Sequence, residues 1–435
     1  MKNFTVTPSD SLKGTSFLPG DKSISHRSVM ISSLSEGEVR IGNFLMSEDC
    51  LRTVDCMTKL GVEIKKTEDG LSVRGAGLKG LKAPDDILFA GNSGTTIRLL
   101  LGILAGQKFK TTITGDDSIL KRPMGRVVKP LELMGANIRG RKKGTLAPLT
   151  VDKAKLRAVE YELPVPSAQV KSAILLAGLY AEGKTAVVEK VSSRDHTERM
   201  LEHFGAKIRY GGGRIELEGG SKLRAEEIDI PSDISSASYL MVAASIIPGS
   251  EISLKGVGVN PGRTGIIDVL HRMGADIEVS NERIISGEPI ADIRVRASRL
   301  KGVGISGAII PRIIDEIPII ALAASLSEGE TVIKGASELR VKESDRIAAV
   351  SAELKKLGAK IKELPDGMVI NGVAGLKGGS CDSHGDHRVA MMCAVAGLIA
   401  GAGVEVKNAD CVETSFPGFS GHINSLSCSD SVRTS

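Results

Sequence analysis

The sequence predicts an α/β protein of two domains, each built from three similar units. Three observations lead there. The chain has 435 residues, more than one ordinary core accommodates. Two glycine-marked patterns recur along it, out of phase with each other. Two polar, turn-rich stretches then bracket half of the recurrences.

The first pattern is an apolar helical stretch, a small turn ending in glycine, and a run of alternating apolar residues. It reads SLSEGEVRI, ILAGQKFKTTI, LYAEGKTAVV, SIIPGSEISL, SLSEGETVI and LIAGAGVEV, with glycines at Gly37, Gly106, Gly183, Gly249, Gly329 and Gly403, 66–80 residues apart. The second reads LGVEI, MGANI, FGAKI, MGADI and LGAKI, around Gly61, Gly135, Gly205, Gly274 and Gly358. Each of these follows an amphipathic stretch. RIAAVSAELKKLGAKI shows the i, i+3, i+4 spacing of a helix closed by glycine and followed by a strand. One such glycine marks only a helix end, but two interleaved series mark a repeat. Each unit therefore holds two helices, each followed by a strand, plus further short strands. The copy of the second pattern due near Ser425 is degraded and reads as a frayed end. The period exceeds that of common solenoids, so globular domains of pseudo-threefold character are expected.

The bracketing stretches are LPGDKS, from Leu18 to Ser23, and IPSDISS, from Ile230 to Ser236. Both carry Pro and Asp, which favour turning or extended backbone. They assign residues 20–231 to one domain. Residues 1–19 and 232–435 form the other, the N-terminal strand joining the last three units. The active site is expected in the cleft between the domains, with closure acting at these crossings.

Aromatic residues make up 3% of the chain and Trp is absent, so Ala, Ile, Leu and Val must build the core. The formal net charge of +5 suits an anionic small molecule. No long basic run is interleaved with aromatics, which argues against nucleic acid. Six cysteines, at 50, 56, 381, 393, 411 and 428, form no Cys-x-x-Cys pair and no zinc spacing. Free thiols in a reducing compartment and no metal are expected. The start MKNFTVTPSD lacks the apolar stretch of a signal peptide, and the apolar runs are short of a membrane span. A cytoplasmic location without membrane partners follows.

Cations gather where helices begin. GDKSISHR sets Lys22, Ser23 and Arg27 behind a Gly-Asp turn, an arrangement that offers an anion both backbone dipole and side chain. GNSGTTIR has small residues, Gly94 and Thr95 among them, and then Arg98; it is not a Walker sequence. KRPMGR brings Lys121, Arg122 and Arg126, and PSAQVKSA brings Ser167, Ala168, Gln169 and Lys171. SRDHTER brings Arg194, Asp195 and His196. Lys171 and His196 read as parts of surface helix starts. Asp315 and Glu316 lie between apolar runs, where carboxylates are unusual unless paired. A carboxylate there can accept a proton, or simply complement a helix N-terminus. ELRVKESDR packs Lys342, Glu343 and Arg346 together, and GDHR gives His387 and Arg388. Cations at helix N-termini oppose the dipole, which suggests a bound anion that offsets them.

These motifs, in order from Gly20 to the TSFP ending at Pro417, resemble the 5-enolpyruvylshikimate-3-phosphate synthase family, in particular its bacterial class II branch. The resemblance spans nearly the whole chain. It implies a two-domain inside-out α/β barrel, each domain made of three βαβαββ units, and a monomer. It also implies transfer of the enolpyruvyl group of phosphoenolpyruvate to shikimate 3-phosphate without metal or organic cofactor. Carried over motif by motif, shikimate 3-phosphate would be held by Lys22, Ser23, Arg27, Ser167, Ala168, Gln169, Arg194, Asp315 and Lys342. Phosphoenolpyruvate would lie among Lys22, Gly94, Thr95, Arg122, Gln169, Glu343, Arg346, His387 and Arg388. Asp315 would accept the proton of the attacking hydroxyl, and Glu343 and Lys22 would serve the methylene carbon. The family is the target of glyphosate, and Gly94 leaves room for it, so moderate sensitivity is expected. Many relatives carry a Lys just before the C-terminal Phe-Pro; here Glu413 and Thr414 precede Phe416-Pro417, with Lys407 the closest upstream. The rival readings are a UDP-sugar enolpyruvyl transferase and an RNA-end-processing protein on a similar repeat fold. Lys22 is followed by Ser23 rather than Asn, and no Cys lies between Cys56 and Cys381. Both features disfavour the first.

Overall fold

Each repeat contains one helix that is buried on nearly every side and fills the centre of its unit. The computed structural model of the chain describes residues 2–427 and 430–435; Cys428 lies outside the described residues. The chain divides into two compact units. Unit 2 comprises Gly20–Ile230 and Ile284–Glu288; unit 1 comprises Met1–Pro19, Pro231–Arg283 and Pro289–Ser435. The chain thus passes between units at Pro19/Gly20 and Ile230/Pro231, and a short piece near residue 286, which no sequence signal marks, goes with unit 2.

In unit 2 the inner helices are Lys22–Ser33, Gly94–Ala105 and Ala168–Gly178. In unit 1 they are Ile234–Ile246, Ile317–Ser325 and His387–Gly397, buried almost throughout. Outer helices follow each in turn. They are Glu48–Lys59, Gly125–Leu133 and His196–His203 in unit 2, and Gly265–Arg272, Arg346–Lys356 and Phe419–Leu426 in unit 1. Sheets face outward, so the architecture is the inside-out α/β fold. Each unit has its own aliphatic core.

Each unit carries three four-stranded sheets. In one, Leu88–Phe89 runs parallel to Thr111–Thr114, which pairs antiparallel with Leu146–Asp152, itself antiparallel to Asn137–Gly140. With the two helices this is βαβαββ. The order recurs in the sheet of Glu160–Glu162, Lys184–Val188, Arg214–Glu218 and Ile208–Gly211. Two further sheets take their first strand from a distance: Glu227–Asp229 joins Glu36–Gly42, and Lys13–Phe17 joins Glu251–Gly258, both in parallel.

The second glycine series behaves as a set of helix stops. Gly61, Gly135, Gly205, Gly274 and Gly358 have φ of 78–98°, a region open to glycine at no steric cost. The first series is mixed. Gly106 has φ −87°, and glycine serves there for space, since a Cβ would meet the Tyr180 ring at 2.2 Å. The expected frayed end is corrected by the structure. The sixth copy has its helix, Phe419–Leu426, and a strand, Val432–Thr434. Phe4–Val6 pairs between that strand and Val404–Lys407. The N-terminus supplies what the C-terminal repeat lacks, so the local pattern looked incomplete. Among the described residues no helix is long and apolar enough to cross a membrane.

The helices Gly94–Ala105 and Ala168–Gly178 cross closely because Gly102 has no side chain. A Cβ there would lie 2.2 Å from the Ala173 carbonyl oxygen. Backbone cannot yield as a side chain can, so Gly102→Val should cost about 3 kcal/mol or more. Thermal melting checks this; an unchanged midpoint would mean that the two helices do not depend on that contact.

Candidate functional site

Unit 2 gathers its polar side chains at the starts of its inner helices, because short caps and turns leave them there. Asp21 caps Lys22–Ser33 through Ile24 N, Ser93 caps Gly94–Ala105 through Thr96 N, and Ser167 caps Ala168–Gly178 through Val170 N. At the second start, a Cβ at Gly94 would lie 3.1 Å from Arg98 Nη1 and 3.2 Å from Arg122 Nη1. Two guanidinium groups therefore close on one helix N-terminus, a strong anion-binding arrangement. Neutral acceptors orient both: Arg98 donates to Gln169 Oε1 at 2.6 Å, and Arg122 donates to Asn92 Oδ1 at 2.7 Å and Ser118 Oγ at 3.1 Å. Gln169 also donates to Thr95 Oγ1 at 3.0 Å. Gly94, Thr95, Arg122 and Gln169 are thus brought together. Arg98 belongs with them, one turn beyond Gly94, a spacing that could have singled it out.

A second cluster surrounds Arg27. Its guanidinium donates to Thr197 Oγ1 at 2.7 Å, Ser172 Oγ at 2.8 Å and the Ser23 carbonyl at 2.9 Å. It therefore links three helices, with donors left over. Burial, with Arg194 nearby, pulls its pKa down to about 10 against the pull of Glu198 and Asp21. Ser23, Ser167, Ala168 and Arg194 lie on the segments that this cluster joins. Lys22 pairs with Asp49 at 3.2 Å.

Two expectations fail here. Lys171 and His196 are not at a surface: both are buried. Lys171 Nζ lies 2.7 Å from Glu189 and 2.6 Å from Glu198, and His196 Nδ1 lies 2.7 Å from Glu288 Oε1. Their partners are distant in sequence, so no local pattern announces them.

Unit 1 is organised by Arg346, fully buried at the start of its helix. Its Nε donates to Asp386 Oδ2 at 2.7 Å, its Nη2 to Glu343 at 2.5 Å, and its Nη1 lies 3.4 Å from Asp315 Oδ1. Burial opposes the charge, but Asp386, Glu343 and Asp315 outweigh it and hold the pKa above the ordinary range. The cation that seemed to need a bound anion is thus compensated by carboxylates of the chain itself. Asp386 also caps the next helix through Arg388 N at 2.9 Å, a double role that the sequence reading missed. Asp315 lies between Arg346 and Lys342, whose Nζ is 3.5 Å away. His387 and Arg388 begin the capped helix and are buried. Among the described residues Arg388 Nε has no hydrogen-bond partner, although a buried guanidinium wants one. Glu316, behind Asp315, is wholly buried; its Oε1 accepts from Ser235 and lies 4.0 Å from Arg263. Just before Phe416-Pro417, Thr414 donates to the Cys411 carbonyl at 2.6 Å.

Residues 6–423 match the family model described as EPSP synthase (3-phosphoshikimate 1-carboxyvinyltransferase). A 3-phosphoshikimate 1-carboxyvinyltransferase of Desulforudis audaxviator is 55% identical over 422 residues, covering 97% of this chain and 98% of that protein. The protein of the same name from Pelotomaculum thermopropionicum is 56% identical over 417 residues, covering 95% and 96%. Among solved structures, EPSP synthase from Acinetobacter baumannii is similar over 100% of both chains, with a TM-score of 0.89 and 44% identity.

Beneath the unit 2 cluster lies His26. Its Nδ1 is 2.7 Å from Thr53 Oγ1, which is 2.7 Å from Thr96 Oγ1. Burial, then Lys22 and Arg27, depress its pKa well below 6.5. The unfolded chain therefore takes up a proton near pH 6.5 that the folded chain refuses. The contribution is complete above that pH and is lost as pH falls toward the folded value, at up to about 1.4 kcal/mol per pH unit. Melting temperatures at about pH 7.5 and about pH 5.5 should diverge more for the parent than for His26→Gln. Equal divergence would show that His26 does not titrate in this way.

Proposed function

The chain belongs to the EPSP synthase family, and from that premise we propose how its two polar clusters divide the reaction. The enzyme transfers the enolpyruvyl group of phosphoenolpyruvate to the 5-hydroxyl of shikimate 3-phosphate and releases phosphate, through a tetrahedral intermediate. In our reading, Ser23, Arg27, Ser167, Ala168 and Arg194 hold shikimate 3-phosphate, with Gln169 across its ring. Lys22, Gly94, Thr95 and Arg122 hold phosphoenolpyruvate from unit 2; Arg346, His387 and Arg388 serve it from unit 1. The observation that carries this assignment is the pair of guanidinium groups closing on Gly94 at a helix N-terminus.

The chemistry follows from charge. A proton added to the methylene carbon, from Glu343 or Lys22, makes the adjacent carbon electrophilic. The 5-hydroxyl oxygen bonds to that carbon while Asp315 takes its proton. Collapse of the tetrahedral intermediate breaks the carbon–oxygen bond to phosphate, the methyl proton returns to the protein, and the enol ether remains. Cations hold together two anions that would repel in water, and they stabilise charge on the departing phosphate. Lys342 and Arg346 keep the Asp315 carboxylate in place. We further read the enzyme as a cytoplasmic monomer, inhibited by glyphosate at the phosphoenolpyruvate subsite.

Asp315→Ala should lower phosphate release with both substrates by about 10²–10⁴, while calorimetric binding of shikimate 3-phosphate is largely kept. Full turnover would remove Asp315 from the role of base. Glyphosate should inhibit in competition with phosphoenolpyruvate. Gly94→Ala should weaken both, because the new methyl group meets Arg98 and Arg122 at 3.1 and 3.2 Å. Uninhibited turnover at millimolar glyphosate would refute that subsite.

A further inference from the structure

Lys171 plays no part in the chemistry above, yet it is among the most deeply buried charges of the protein. A lysine inside a fold is retained only where carboxylates meet it. Here two do: Glu189, just past the strand Lys184–Val188, and Glu198, in the helix His196–His203. Each leads on to one of the residues assigned to shikimate 3-phosphate.

Glu189 leads to Arg194. Its Oε1 accepts from Ser193 Oγ at 2.5 Å and its Oε2 from Ser193 N at 3.4 Å, while Lys171 Nζ donates to the Ser193 carbonyl at 3.4 Å. All the polar groups of the residue before Arg194 are therefore tied to one buried pair. Glu198 leads to Arg27: its neighbour Thr197 accepts from Arg27 Nε, and Thr197 Oγ1 is 2.6 Å from Ser172 Oγ, beside Lys171 in sequence. After its own burial, Arg27 feels Glu198 more than any other charge. Arg27, Glu198, Lys171 and Glu189 thus alternate in sign along one buried chain. Removing Lys171 strips two buried carboxylates of their shared cation, so they repel or one takes up a proton, and either way the segments that carry Arg194 and Thr197 lose the tie between them.

We propose that Lys171 is a positioning residue, which sets the geometry of the shikimate 3-phosphate subsite by pinning Arg194 through Glu189 and Ser193, and Arg27 through Glu198 and Thr197. This rests on the reading that Arg194 and Arg27 hold that substrate. Lys171 touches neither substrate in this scheme, so its loss should appear in one binding constant.

Calorimetric titration with shikimate 3-phosphate, alongside steady-state kinetics, tests it on Lys171→Met, Lys171→Arg, Ser193→Ala and Arg194→Ala. Lys171→Met should weaken shikimate 3-phosphate binding about ten-fold or more, the scale of bonds to charged groups. The KM for phosphoenolpyruvate at saturating shikimate 3-phosphate, and kcat, should change by no more than about three-fold. Lys171→Arg should recover part of the loss, which general damage to the core would not allow. Should Lys171→Met fail to fold, Ser193→Ala removes one strut without stranding a buried charge, and should weaken the same constant about three-fold. Normal binding in a folded Lys171→Met, or in Ser193→Ala, while Arg194→Ala loses it, overturns the positioning role alone. Normal binding in Arg194→Ala overturns the subsite assignment itself.

Discussion

A charge cannot be buried by itself, and this protein buries several within the first two turns of its helices, inner and outer alike. The inner helices fill the centre of each unit and are buried almost throughout, so any charge they carry must meet a partner. Three ends per unit, produced by the same repeat, then concentrate cations, caps and carboxylates in one region. The compensation of those charges decides which elements meet. Arg346 draws in Asp386 from another repeat; Lys171 draws in Glu189 and Glu198; Arg27 draws together three helices through hydroxyls and a carbonyl. Breaking any of these leaves an uncompensated buried charge, which is more costly than the pair is stabilising.

The repeat makes this possible with few aromatic residues. Helix stops at φ near 90°, as at Gly135 and Gly358, turn the chain within two residues. Close crossings, as at Gly102 against Ala173, let aliphatic side chains fill the middle. Strand exchange closes the arrangement: Phe4–Val6 completes the last sheet, so the repeat is whole in space although its final copy is broken in sequence.

What could be read from the sequence divides along the same line. The period, the glycine stops and the motifs at helix starts are local, and they made the repeat legible. Partners chosen by tertiary contact were hidden. Nothing near Lys171 indicates that Glu189 waits at the end of a strand, so its charge looked solvated. Nothing in GDHR indicates that Asp386 serves Arg346 as well as its own helix. Arg98 lay between these cases, since its spacing from Gly94 was visible but its convergence with Arg122 was not. The strand at the C-terminus was missed because its pairing partner is at the other end of the chain.

Neutral oxygens orient the cations around Gly94, and carboxylates surround Arg346. Around Gly94, Arg98 and Arg122 are oriented by Gln169, Asn92 and Ser118. Amide and hydroxyl oxygens fix the orientation of a guanidinium without themselves cancelling its charge. Around Arg346 the acceptors are Asp386, Glu343 and Asp315. There the guanidinium holds carboxylates, two of which, Asp315 and Glu343, remain partly exposed. In the proposed scheme the unit 2 cluster holds the anions with help from Arg346, His387 and Arg388, while Asp315 and Glu343 move protons. An enolpyruvyl transfer requires both: phosphate and carboxylate must be held while a carbon is protonated and a hydroxyl deprotonated.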